Sequence, residues 1–130
     1  MRWTMPVNSL RRITSSWARI TPAPEKSALK TLVLLHGGPY QSRYGLGFNA
    51  MAQFMAAHGY QVFMPNFRSS GGYGTAFMIR KRADWGGQDW RDVEAGVDSL
   101  VKWGLADGSK LGVFGHSYGG YLSAWAITQT

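Results

Sequence analysis

Apolar positions in this chain fall into short continuous runs, separated by glycine-rich turns and by longer stretches with a helical repeat. Thr31-Leu32-Val33-Leu34-Leu35 is such a run, bounded by turn residues, which is how a strand buried on both faces reads. It ends in His36-Gly37-Gly38-Pro39. Over residues 46–58, Phe48, Met51, Ala52 and Met55 recur at the spacing of one helical face, and Gly59 follows as a C-terminal stop. Gln61 to Pro65 predicts a second short strand, and Asn66 to Gly74 a long Gly/Ser loop. Asp89 stands where it can cap a helix on which Val93, Val97, Leu100 and Val101 share a face. Gly104 to Lys110 reads as a loop, Leu111 to Phe114 as a third strand, and Tyr118 to Thr128 as a helix. Strands alternating with crossover helices predict an α/β fold with a mostly parallel sheet. Sites in such sheets form at the carboxyl ends of the strands. The His36 turn, the Asn66 loop and the residues after Phe114 are therefore expected to meet.

Ahead of this alternation lies a segment of different character. Residues 1–28 are expected to be a leader or an incomplete N-terminal segment, and residues 29–130 a partial catalytic domain. The first part is rich in Arg, Ser and Thr, and Val7, Leu10, Ile13, Trp17 and Ile20 suit one helical face, a presequence-like pattern. That pattern is the argument for mitochondria; a cytoplasmic location is the default expectation. Pro22 to Ser27 reads as a linker.

Composition narrows the function classes. A hydrophobic fraction of 45% with 14% aromatics is globular. With no cysteine, a disulfide scaffold and a thiol nucleophile are excluded. No apolar run approaches the roughly 20 residues of a membrane span. The net charge of +7 is concentrated in the leader and in the short cluster Arg80-Lys81-Arg82, which Asp84 follows closely. No long basic helix or aromatic-basic motif accompanies it, so solvated surface charge is expected rather than nucleic-acid binding. Neither a metal nor another cofactor is called for.

The stretch that carries chemistry is Gly115-His116-Ser117-Tyr118-Gly119. It is the G-x-S-x-G pattern of a nucleophile elbow, between an apolar strand and a helix, as that motif requires. A serine on a sharp strand-to-helix turn is strained, and side chains two residues to either side would collide, so Gly115 and Gly119 are favoured there. The first amides of the next helix face the space where an oxyanion would develop. In a chain with 17 glycines the same five residues also fit a plain glycine-rich turn.

Taken together, the motifs resemble the catalytic domain of the prolyl oligopeptidase family of serine peptidases, in the branch of acylaminoacyl and dipeptidyl peptidases. The residues that carry this are His36-Gly37-Gly38-Pro39, Gly59-Tyr60, Pro65 to Gly74, Trp85-Gly86-Gly87 with Asp89 and Asp92, and Gly115 to Tyr121. The resemblance implies the N-terminal part of an α/β-hydrolase domain that hydrolyses short peptides through an acyl-enzyme. Ser117 would be the nucleophile. The backbone N–H of Tyr118 and that of Gly38 would form the oxyanion hole. Some relatives supply a tyrosine hydroxyl at the position of His36; histidine here does not inherit that role. Arg68 is expected to pair with a carboxylate, and Trp85, Asp89 and Asp92 to pack and cap.

A serine hydroxyl is a weak nucleophile without a positioned base. In α/β hydrolases the triad runs Ser, then Asp or Glu, then His. No residue after Ser117 is Asp, Glu or His, and none of His36, His58 and His116 is placed to serve as the base. These 130 residues therefore read as a fragment, with negligible activity expected of them alone. Unpaired sheet edges would favour self-association. Two other readings stay open: an esterase of the same fold, and a non-catalytic remnant or interaction module.

Overall fold

The computed structural model describes residues 29–40, 42–79 and 84–129. The leader, its helical face, the linker and the Arg80-Lys81-Arg82 cluster lie outside the described residues. Among the described residues three strands form the expected parallel sheet: β1 (Lys30–Leu35), β2 (Tyr60–Phe63) and β3 (Leu111–Gly115), in the order β2-β1-β3. β1 pairs with β2 from Lys30↔Tyr60 to Val33↔Phe63 and with β3 from Thr31↔Leu111 to Leu35↔Gly115. The chain leaves β1 for one neighbour and returns on the other side. Its topological switch point therefore lies at the carboxyl ends of β1 and β3, where ligands bind in open α/β sheets.

Among the described residues there are four helices: α1 (Ala50–Ala57), α2 (Thr75–Ile79) and α3 (Gln88–Lys102) between the strands, and α4 (Tyr118–Gln129) after β3. Two expectations are corrected here. Phe48 is not on the face of α1: Asn49 is the N-cap, its side-chain oxygen accepting the Ala52 N–H at 2.9 Å, and Phe48 before it is 84% exposed. The cap chemistry of an Asx residue outweighs an apolar repeat at a helix start. Asp89 is not the cap of α3 either; Gly87 is, and Asp89 lies inside the first turn with its Oδ1 accepting the Trp90 N–H. On α3, Val93 is buried while Val101 is exposed. The single turn α2 has no apolar repeat to announce it; the Met78 N–H bonds the Gly74 carbonyl and the Ser69 N–H bonds the Phe77 carbonyl.

The core is one cluster between the sheet and the helices α3 and α4. Val33 and Leu35 of β1 meet Phe67, Trp90 and Val93, and α4 adds Tyr118, Leu122 and Ala126. Thus the residue after Ser117 is a core residue, which ties the chemistry of the turn to the packing of the fold. Among the described residues no helix is long and apolar enough to cross a membrane.

Candidate active site

The turn after β3 is built by exclusion of side chains. Ser117 is exposed at its tip with φ +57, a left-handed conformation that a non-glycine residue holds at a cost of about 1–2 kcal/mol. α4 begins at the next residue, with the Gly119 N–H bonding the His116 carbonyl and the Tyr121 N–H bonding the Ser117 carbonyl, each at 3.0 Å. A Cβ on Gly115 would stand 2.5 Å from the Leu35 carbonyl oxygen and 2.8 Å from the Gly119 carbonyl carbon. A Cβ on Gly119 would stand 2.7 Å from the Leu35 carbonyl carbon and closer still to its oxygen. The two glycines are thus needed mainly because helix α4 abuts the end of β1, and only partly because they face each other. Among the described residues none hydrogen-bonds the Ser117 hydroxyl.

The turn after β1 lies against this one. The imidazole of His116 covers Gly37: a Cβ there would meet its Cε1 at 2.8 Å. Gly38, the next residue, has φ +67, which glycine adopts without strain. His36 is buried and stacks on Phe67 at a centroid distance of 4.3 Å, with Tyr44 edge-on at 5.3 Å. Ser70 donates its one hydroxyl proton to the Phe67 carbonyl at 2.6 Å, so its oxygen accepts the Nε2–H of His36 at 2.8 Å. Nδ1 then lies 3.0 Å from the Gly37 carbonyl, a contact that favours a second ring proton. Burial opposes that proton more strongly and lowers the His36 pKa below its ordinary value of 6.5. His36 is therefore a neutral strut between the turn after β1 and the loop after β2.

That loop is fixed at several points. Asn66 accepts the Tyr44 N–H at 2.8 Å and donates to the Tyr44 carbonyl at 2.9 Å, clamping the segment that crosses above it. Arg68 forks onto Asp92 of α3, with Nε to Oδ2 at 2.7 Å, while its NH1 reaches Gln88; the Asp92 carboxylate also accepts the Arg68 backbone N–H at 2.9 Å. On the other side, the Tyr118 hydroxyl donates to the buried Asp89 carboxylate. Burial first, and Asp89 second, push the Tyr118 pKa up, so the phenol stays protonated.

All three segments expected at the carboxyl edge of the sheet are there. Ser117 is at the exposed tip, Tyr118 opens α4 with its ring in the core, Gly115 closes β3, and Gly119 meets the end of β1. Gly38 sits one residue beyond the Gly37–His116 contact. Arg68 pairs with a carboxylate as expected. His58 ends α1 beside the start of β2, at the opposite edge of the sheet. Sequence reasoning missed the pairs His36–Ser70 and Tyr118–Asp89, because partners 34 and 29 residues apart leave no periodic trace. Among the described residues no group of His, Asp or Glu is placed to hold a metal ion.

A parallel sheet with crossover helices, and a strained serine at its switch point between two close-packed glycines, are the marks of the α/β-hydrolase fold. The chain belongs to the prolyl oligopeptidase family of serine peptidases, whose profile matches residues 46–130. It is 38% identical over 120 residues to the uncharacterized peptidase YuxL of Bacillus subtilis, covering 91% of this chain and 18% of that protein. It is 36% identical over 99 residues to acylamino-acid-releasing enzyme 1 of Oryza sativa subsp. japonica, covering 76% of this chain and 13% of that one. Among solved structures it is similar to the acylaminoacyl peptidase of Pyrococcus horikoshii, with a TM-score of 0.76 and 36% identity over 84% of this chain and 18% of that one. The chain thus spans less than a fifth of the length of these relatives.

Proposed function

We propose that this chain supplies the nucleophile and oxyanion hole of a serine peptidase acting on short peptides. The observation that carries the reading is Ser117 itself: exposed, left-handed, at the start of a helix, and held there by glycines that admit no other residue. In the first step the Ser117 oxygen attacks the scissile carbonyl carbon and its proton passes to a general base. The carbonyl oxygen becomes an oxyanion facing the N–H groups of Tyr118 and Gly38. The C–N bond then breaks, the amine leaves with the proton, and water hydrolyses the acyl-serine in a second pass of the same steps. Removing one oxyanion donor of this kind costs about 10²–10³ in rate.

By themselves these 130 residues are expected to hydrolyse peptides negligibly, since no described residue is hydrogen-bonded to the Ser117 hydroxyl to take its proton. In isolation they would also self-associate through the outer edges of β2 and β3. The test compares the purified 130-residue chain with the full product of its gene. A fluorophosphonate probe should label the full product at Ser117, leave Ser117→Ala unlabelled, and label the 130 residues far more slowly. Assaying an aminoacyl anilide beside a p-nitrophenyl ester separates peptidase from esterase. Labelling that survives Ser117→Ala would refute the nucleophile assignment, and equal labelling rates would refute the inactivity of the shorter chain.

A further inference from the structure

We propose that Asp89 is a positioning residue that aims the Tyr118 backbone N–H at the oxyanion. The proposal rests on the reading of Ser117 and Tyr118 above and adds a residue to it from a different element.

Tyr118 faces two ways. Its backbone follows the nucleophile directly, while its side chain is 6% exposed and anchored in the core. The ring is held by three aromatic neighbours: Trp85 edge-on at 5.6 Å, Tyr121 stacked at 5.4 Å and Phe67 tilted at 6.2 Å. Rings alone leave a phenol free to slide in its own plane. The hydrogen bond from the hydroxyl to Asp89 removes that freedom. Asp89 is itself fixed, being 1% exposed, in the first turn of α3, with Oδ1 on the Trp90 N–H at 2.8 Å. A carboxylate is favoured at that helix end by the aligned peptide dipoles. α3 is in turn tied to the loop after β2 through Asp92 and Arg68. Shifting the Tyr118 Cα, which carries the Ser117–Tyr118 peptide, would therefore require the Tyr118 ring to move, and the ring is fixed to a helix that has no other part in the turn. Asp89 touches no reacting atom; it acts through Tyr118.

A cap or a core contact would lower stability and leave turnover of the folded enzyme unchanged. A positioning role lowers the chemical step. In the full product of the gene, Asp89→Ala should lower kcat for an aminoacyl anilide about 10-fold, less than the 10²–10³ for losing a donor outright, with KM unchanged. Affinity for a peptide aldehyde, which mimics the tetrahedral state, should fall with kcat. Tyr118→Phe keeps the ring and loses only the hydroxyl, so it should show the same loss, and the double variant no further loss. Asp89→Asn retains an acceptor and should restore most of the rate. Val93→Ala, in the core of the same helix, should lower the unfolding midpoint without changing kcat. The proposal is overturned when Asp89→Ala and Tyr118→Phe leave kcat unchanged, when the loss appears in KM, or when the double variant is additive. Should Asp89→Ala not fold, Tyr118→Phe decides alone. Turnover that persists in Ser117→Ala instead overturns the nucleophile reading; a dead Ser117→Ala beside a fully active Tyr118→Phe overturns only the role of Asp89.

Discussion

Gly119 and Gly120 are neighbours in the first turn of α4, yet alanine should act oppositely at the two. A Cβ on Gly119 lies 2.7 Å from the Leu35 carbonyl carbon and 3.0 Å from the His36 carbonyl oxygen. Both are backbone atoms at the end of the central strand, so no side chain can swing aside. Bringing the carbon contact alone to the 3.4 Å of ordinary packing takes a parting of α4 and β1 by roughly 0.7 Å, and the Leu35 carbonyl oxygen, closer still, demands more; Leu122 and Tyr118 must leave their core positions with it. Overpacking typically costs about 1–3 kcal/mol, and with an unyielding backbone as the neighbour the upper figure applies. The same shift carries the Ser117–Tyr118 peptide away from the turn after β1, and misplacement of about 1 Å is worth on the order of 10² in rate. A Cβ on Gly120 meets only the Gly115 carbonyl oxygen, at 3.5 Å, which is an ordinary contact. Replacing a helical glycine by alanine there should stabilise by about 0.5–1 kcal/mol. Urea titration of both variants, with fluorophosphonate labelling of Ser117 in the full gene product, measures each effect. A Gly119→Ala midpoint within error of the unsubstituted protein, or a Gly120→Ala that destabilises more than Gly119→Ala, would refute the claim that α4 rests on the backbone of β1.

Three other substitutions probe the same edge of the sheet. Ser117→Gly should abolish labelling yet raise stability by about 1 kcal/mol, because glycine relieves the left-handed strain; a less stable variant would show the turn to be unstrained. Stability should fall as pH drops below 6.5, since the unfolded chain binds a proton that buried His36 resists; above 6.5 this contribution is fully present. His36→Gln should flatten that slope in urea midpoints measured across the range. Asp92→Ala should cost about 2 kcal/mol by leaving the Arg68 fork and its backbone N–H without an acceptor, and Asp92→Asn less, since it still accepts from that N–H. Equal midpoints for the two Asp92 variants would count against a role for the backbone bond.

Where sequence and structure part company, the cause is the range of the interaction. The strand Thr31–Leu35 was legible because burial on both faces demands an unbroken apolar run. The serine turn was legible because its constraints lie within five residues. Phe48 misled, since its spacing fits a helix that Asn49 has not yet begun. Asp89 misled in another way: a carboxylate before an apolar repeat looks like a cap, but it lies inside the first turn and also accepts from the phenol 29 residues on. His36 carries no hint in its own motif that Ser70 will hold it.

The sequence by itself determined the order of strands and longer helices, the parallel sheet, the family and the identity of the candidate nucleophile, but not the short helix α2. These follow from local propensity, periodicity and short motifs. Only the tertiary structure decided why Gly115 and Gly119 are compulsory, what fixes the turn after β1, and what steadies Tyr118. Each of those depends on where the end of β1 and the first turn of α3 stand relative to Ser117. That placement is set by packing of the whole core, and no stretch of sequence encodes it locally.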